Sequence, residues 1–230
     1  MIWARTAESH SSHPIAPKSQ EYAVLNFDIL GKTPVATEPF PYMAAANILD
    51  ASSLDEIAAA FPLIEKPGIF PLSELDYGEA FARLIEDIQG ARLEGVMSEK
   101  FGIDLSDKPL MVTVRGHCQK KDGRIHTDSK DKLVTCLLYL NAPQWKEEGG
   151  CLRLLRNGGN LTDMIAEVPP NGGSFVAFKR TDNSWHGHAP FVGQRRYVMF
   201  NWVRSEVALA KNLGRHKLSA VFKRLGLIGG

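Results

Sequence analysis

The sequence predicts a mainly β protein with helices, an α+β chain on a double-stranded β-helix (jelly-roll) core. Three observations predict it. Apolar residues at helical spacing fill much of the first half. From Leu110 onward, short β-rich runs alternate with Gly, Pro and Asn turns, the spacing of a sandwich or barrel. His126, Asp128 and His186 stand in an order that only a strand returning across the chain brings together.

The elements follow in order. Residues 1–20 are polar and mixed and read as a loose terminus; His10 and His13 there belong to a solvated tail. Residues 22–29 alternate like a strand. Residues 50–57 open a short helix with Ser52 or Ser53 as N-cap, ending near Pro62. Phe81, Leu84, Ile85 and Ile88 predict a helix over 78–89, and a further helix over 92–101 is stopped by Gly102. Strands are expected over 110–115, 134–140, 151–155, 174–178 and 196–203. Leu218, Val221, Phe222 and Leu225 form one stripe of a basic C-terminal helix. That helix either packs on the β core with its cations in water or meets an acidic partner or membrane surface; the first reading is the plainer one. One domain over 1–230 is expected: a loose start over 1–20, mainly helical support over 21–105, the jelly-roll over 106–204 and the amphipathic helix over 205–230. At 230 residues the chain is long enough for one sizeable core.

Composition narrows the classes of function. A formal net charge of +1 gives no global case for a nucleic-acid partner. The three cysteines, Cys118, Cys136 and Cys151, form no close pair, which argues against a disulfide framework; Cys136 sits in an apolar run as a small hydrophobe. No apolar stretch is long enough to span a membrane, and the N-terminus lacks a signal-peptide core. A cytoplasmic, reducing location is expected, one that would also keep iron ferrous.

His126 and Asp128 are two apart, so on extended backbone both side chains project to one side. With His186 returned by the β topology they make two imidazoles and one carboxylate, the facial set that holds Fe(II) and leaves positions open for a co-substrate and oxygen. His-x-Asp alone is weak, because a histidine is as often a satisfied structural residue. The context strengthens it: a strand over 134–141 follows closely, Trp185-His186 comes after a core strand, and the basic pair Arg195-Arg196 begins the next. His188 is the rival ligand to His186, or lines the pocket. His117 and His216 read as structural or surface residues.

At these motifs the chain resembles the Fe(II)/2-oxoglutarate-dependent dioxygenases of the prolyl 4-hydroxylase type. The resemblance rests on His126-Thr127-Asp128, on the run Val134 to Asn141, on Trp145 with Glu148-Gly149-Gly150-Cys151-Leu152-Arg153, and on His186 with Pro190 and Arg196; it covers roughly residues 105–204. It implies that His126, Asp128 and His186 bind iron and that 2-oxoglutarate chelates it. The distal carboxylate of 2-oxoglutarate would be held by a basic residue on the last core strand and by Tyr139. Arg suits this, since its planar fork grips a carboxylate through two charge-assisted hydrogen bonds. In such enzymes the basic residue often shares a face with a later Trp. Arg196 shares one with Val198, Phe200 and Trp202, so Arg196 is chosen and Arg195 kept in reserve.

The resemblance also implies the chemistry. Decarboxylation of 2-oxoglutarate to succinate, with O2 consumed and ascorbate as a candidate reductant, is coupled to hydroxylation of an unactivated C–H bond. Related halogenases lack the carboxylate that Asp128 supplies, which favours hydroxylation here. The substrate is expected to be a small molecule or a prolyl or peptidyl group. Arg115, Lys120, Lys121 and Arg124 precede the metal motif and either attract an acidic substrate or form an ordinary solvated hairpin. Two rivals stay open: a cupin-like metal enzyme that does not use 2-oxoglutarate, and a non-catalytic sensing or scaffold protein on the same fold.

Overall fold

The computed structural model describes residues 23–214. In chain order the elements are α1 (Phe27–Lys32), β1 (Tyr42–Ala45), α2 (Ala51–Ala59), β2 (Phe70–Pro71), α3 (Glu79–Gln89), α4 (Ala91–Phe101), β3 (Leu110–Cys118), β4 (Lys132–Tyr139), β5 (Leu152–Leu155), β6 (Met164–Val168), β7 (Phe175–Lys179), β8 (His186–Gly187) and β9 (Gly193–Val203). The strands form a six-stranded sheet in the order β1-β7-β4-β9-β3-β2 and a three-stranded sheet in the order β6-β5-β8. Every pairing between these named strands is antiparallel. This is the expected α+β jelly-roll.

Period-two alternation on the central strands builds the two layers. Val134, Cys136 and Leu138 of β4 and Val198, Phe200 and Trp202 of β9 join one apolar cluster with Phe81, Leu84, Ile88, Leu93 and Met97 of α3 and α4. The alternate residues Leu137, Tyr139 and Tyr197 pack between the sheets with Leu152, Leu154 and Val168. The large sheet therefore has a helix-covered face and an inner face, and the site lies on the inner one.

The helices form for local reasons. α3 buries Phe81, Leu84, Ile85 and Ile88 on one stripe. α4 ends at Gly102 with φ +59°, the left-handed cap that glycine adopts without strain. Two expectations need correction. Residues 22–29 were expected to be extended; from Phe27 the chain is helical, because the Asn26 side chain accepts from Ile29 N at 3.0 Å and caps α1. The cap of α2 is Asp50 rather than Ser52 or Ser53, its carboxylate accepting from Ser53 N at 2.8 Å, and α2 ends at Ala59. The first half also supplies two short strands, β1 pairing with β7 and β2 with β3 at the edges of the large sheet.

A further helix runs over 206–214, and Ala208 packs with Met111 and Val203. The expected stripe from Leu218 to Leu225, His216 and the loose tail with His10 and His13 lie outside the described residues. No helix among the described residues is long and apolar enough to cross a membrane.

Trp202 is 1% exposed and joins the helices to the sheet. Trp202→Ala should cost about 3–5 kcal/mol of folding stability, the range for large-to-small aromatic truncation in a core. Urea unfolding midpoints at unchanged slope check this; a loss under about 1 kcal/mol would mean that the two layers do not depend on this contact.

Candidate metal centre

Backbone pairing brings the expected ligands together. His126 N donates to His186 O and His186 N to His126 O, both at 3.0 Å, an isolated antiparallel bridge. β8 is held in turn by β5, with Leu154 opposite His186. The imidazole centroids of His126 and His186 lie 4.3 Å apart. One ligand atom from each of His126, Asp128 and His186 falls within 4.8 Å of the others. Around Asp128 the backbone is irregular rather than extended.

The ring nitrogens are sorted by their partners. Nδ1 of His126 lies 2.8 Å from Arg124 O, and Nδ1 of His186 lies 3.0 Å from Ser184 O. A carbonyl only accepts, so both Nδ1 atoms carry the proton and both Nε2 lone pairs are left to ligate. This is the outer-shell orientation of metal-bound histidines. Burial pushes the pKa of His186 down to about 4 against the raising pull of Asp128, so its imidazole is neutral at pH 7. Burial alone would raise the Asp128 carboxyl, but Lys132, His186 and Thr135 hold it well below the usual carboxylate range. A neutral His186 imidazole and an ionised Asp128 carboxylate are the protonation states that a divalent cation requires of them. The donor set fits Fe(II).

Two partners of Asp128 escaped the sequence reading. Lys132 Nζ donates to Oδ1 at 2.8 Å and Thr135 Oγ1 to Oδ2 at 2.6 Å. Thr135 carried a signal: a hydroxyl at an inward position of an apolar run. Lys132 carried none beyond standing four residues after Asp128.

The triad opens into a cavity of ≈ 280 Å³, also lined by Arg115, Lys132, His188, Arg195, Tyr197 and Met199. The arginine choice needs correction. Arg195, not Arg196, faces the cavity. Arg195 is 2% exposed, with Nε donating to Gly150 O at 2.8 Å and Nη2 to Tyr139 Oη at 3.0 Å. Its guanidinium carbon lies 5.1 and 5.2 Å from the Tyr139 and Tyr197 ring centroids. It is in no ion pair among the described residues. Arg196 is half-buried on the other face, 5.0 Å over the Phe61 ring, with Nη1 donating to Ala58 O at 3.4 Å. The alternation was right; the face was not, because Val198, Phe200 and Trp202 look at the helices.

Tyr139 pairs with Tyr197 in register and its phenol is pushed up to about 12 by burial, so it stays a neutral hydroxyl beside Arg195. His188 lines the cavity rather than joining the triad. Its Nδ1 lies 2.8 Å from Ala189 O, and its backbone N donates to Gly123 O at 2.9 Å. Gly123, at φ +84°, is required there: a Cβ would come within 2.5 Å of the His188 ring. The solvated-hairpin reading fails for Arg115, which is buried, pairs with Asp122 and lines the cavity. It holds for Lys120, Lys121 and Arg124, which are exposed. His117 is structural, its Nδ1 lying 2.8 Å from Ile64 O. The three cysteines are free, Cys118 and Cys136 buried.

Residues 113–204 match the model of the 2OG-Fe(II) oxygenase superfamily. The matched segment carries the triad, Tyr139 and Arg195, and the resemblance read from the motifs, to 2OG-Fe(II) oxygenases of the prolyl 4-hydroxylase kind, stands. No curated protein matches the sequence. Among solved structures, the chain is similar to a Pseudomonas putida prolyl-4-hydroxylase at 18% identity and TM-score 0.51, over 84% of this chain and 100% of that one. It is also similar to a viral collagen prolyl hydroxylase from Paramecium bursaria Chlorella virus-1, solved as a 2OG complex (19%, TM-score 0.49, 71% and 95%). A Phytophthora capsici prolyl 4-hydroxylase aligns at 15% and TM-score 0.49, over 86% and 71%. At these identities the likeness is one of fold.

Burial holds His186 and His188 down to about 4 from an ordinary 6.5. Between those values the unfolded chain binds more protons than the folded one, so stability rises with pH. For protein freed of metal by chelation, this contribution should be complete above about pH 6.5 and be lost as pH falls towards 4. The depressed Asp128 adds its own loss only below its ordinary 3.8. Melting temperatures from pH 7.5 to 4.5 check this; a flat profile contradicts neutral, buried imidazoles.

Proposed function

We propose that this chain is an Fe(II)- and 2-oxoglutarate-dependent dioxygenase that hydroxylates an unactivated C–H bond of a small molecule or of a prolyl or peptidyl group. The observation that carries the reading is one cavity holding both halves of the requirement. His126, Asp128 and His186 converge with free Nε2 atoms, and Arg195 lines the same cavity with no carboxylate partner among the described residues.

In this reading the triad holds Fe(II). Arg195, steadied by Gly150 O and Tyr139 Oη, takes the distal carboxylate of 2-oxoglutarate. The bound metal and co-substrate supply the oxidising chemistry: 2-oxoglutarate, O2 and R–H give succinate, CO2 and R–OH. The protein orients the partners and excludes water, with Leu137, Leu152 and Met199 as apolar walls of the cavity. A cavity of ≈ 280 Å³ that must also seat a keto diacid favours a small substrate or a single side chain. The helices and the jelly-roll act as one domain, supported by the apolar cluster that they share.

Succinate release that needs Fe(II), O2 and 2-oxoglutarate together tests the reading. Metal binding without 2-oxoglutarate turnover would return the cupin-like rival, and a folded chain that binds no Fe(II) would return the scaffold one. Arg195→Ala should raise the KM for 2-oxoglutarate by about 10–100-fold, the worth of a charge-assisted pair of hydrogen bonds. Arg196→Ala should leave it within about twofold. The reverse order would overturn the assignment of the cavity face.

A further inference from the structure

Thr135 Oγ1 lies between two oxygens, Asp128 Oδ2 at 2.6 Å and Asn201 Oδ1 at 2.9 Å. A hydroxyl has one proton, so it donates to only one of them. The ionised carboxylate is the stronger acceptor and the nearer one. The Asn201 oxygen would then face a hydroxyl lone pair, while Asn201 Nδ2 is buried without a partner. Both faults vanish together if the amide is turned by 180°, a change that leaves its shape unaltered. Nδ2–H then donates to Thr135 Oγ1, which donates to Asp128 Oδ2. The pair is locked by register, Thr135 standing opposite Asn201 across β4 and β9, and is almost without solvent at 1% and 0% exposure. Asp128 Oδ1 is held differently, by the Lys132 ammonium at 2.8 Å at the end of a four-carbon stem that lines the cavity.

We infer that Asn201 is a positioning residue for the metal centre. Acting through Thr135, it commits Asp128 Oδ2 to a buried donor chain and leaves Oδ1 as the oxygen that takes the metal, in exchange for Lys132. The inference rests on the proposed metal triad and extends it to two residues on the neighbouring strands. It also assigns opposite roles to the two donors on one carboxylate: Thr135 orients it, and Lys132 competes with the ion.

Titration of the folded, full-length protein with Co(II), followed by visible absorption and without 2-oxoglutarate, tests this apart from turnover. Thr135→Val and Asn201→Leu should each weaken Co(II) binding by about tenfold or more, the usual effect of removing an outer-shell partner. Thr135→Ser should bind as the native protein does. Thr135→Val/Asn201→Leu should be no weaker than Thr135→Val alone, because Asn201 acts only through the hydroxyl. Lys132→Met should bind Co(II) at least as tightly as the native protein. Asn201→Ala serves if Asn201→Leu fails to fold, and circular dichroism confirms the fold of each variant. Native affinity in folded Asn201→Leu or Asn201→Ala, additive losses in the double variant, or a loss in Lys132→Met equal to that in Thr135→Val would each overturn the inference. Native protein that binds no Co(II) would sink the metal centre itself; native protein that binds while these contrasts fail would sink only the donor chain.

Discussion

Two reciprocal backbone hydrogen bonds, His126 N to His186 O and His186 N to His126 O, hold the candidate centre together. They form the antiparallel bridge by which the irregular segment around His126 joins the two-residue strand β8. A hydrogen-bonded antiparallel pair sets its Cα atoms about 5.5 Å apart, so the approach of the two imidazoles is a property of the main chain. The Nδ1 bonds to Arg124 O and Ser184 O then rotate each ring so that Nε2 faces inward. Without the pairing, the same three side chains would be a surface histidine, an ion-paired aspartate and a buried histidine.

The second constraint is the pleat of β9. One face, Val198, Phe200 and Trp202, is spent on the helices. The other, Arg195, Tyr197, Met199 and Asn201, carries chemistry from the cavity to the strand paired beside Asp128's partners. Register with β4 sets Tyr139 opposite Tyr197 and Thr135 opposite Asn201. The tyrosine that meets Arg195 and the threonine that meets Asp128 therefore lie on one inner face. A one-residue slip would turn both arginines over and exchange the cavity for core. The apolar packing of Trp202 and the placement of Arg195 are two consequences of one register.

Much of this was legible in the chain. His-x-Asp with a distant histidine, the β-rich second half and the stripe Phe81, Leu84, Ile85 and Ile88 all carry short-range or chemical signals. What was not legible depended on partners remote in sequence. The face of β9 that looks at the cavity is decided by helices from the first half, so reading Trp202 as a companion of the anchoring arginine led to Arg196. β1, β2 and β8 are too short to show alternation and exist through pairing with β7, β3 and β5. α1 overrode a strand-like pattern through one Asn26 cap. Arg115 looked like part of a charged hairpin because its place on β3, lining the cavity, and its pairing with Asp122 appear only in the fold. Thr135 and Asn201 look unremarkable in isolation and gain meaning only when β4 lies beside β9.

The central claim is that His126, Asp128 and His186 hold a ferrous ion with open positions that a keto acid, anchored at Arg195, can fill. Anaerobic titration of the metal-free protein with Fe(II) and 2-oxoglutarate, followed by visible absorption, tests it most directly. The account predicts a charge-transfer band that needs both additions, saturates at one of each per chain, and is lost in His126→Ala and His186→Ala. No band with the native protein, or one that survives loss of either histidine, would contradict it.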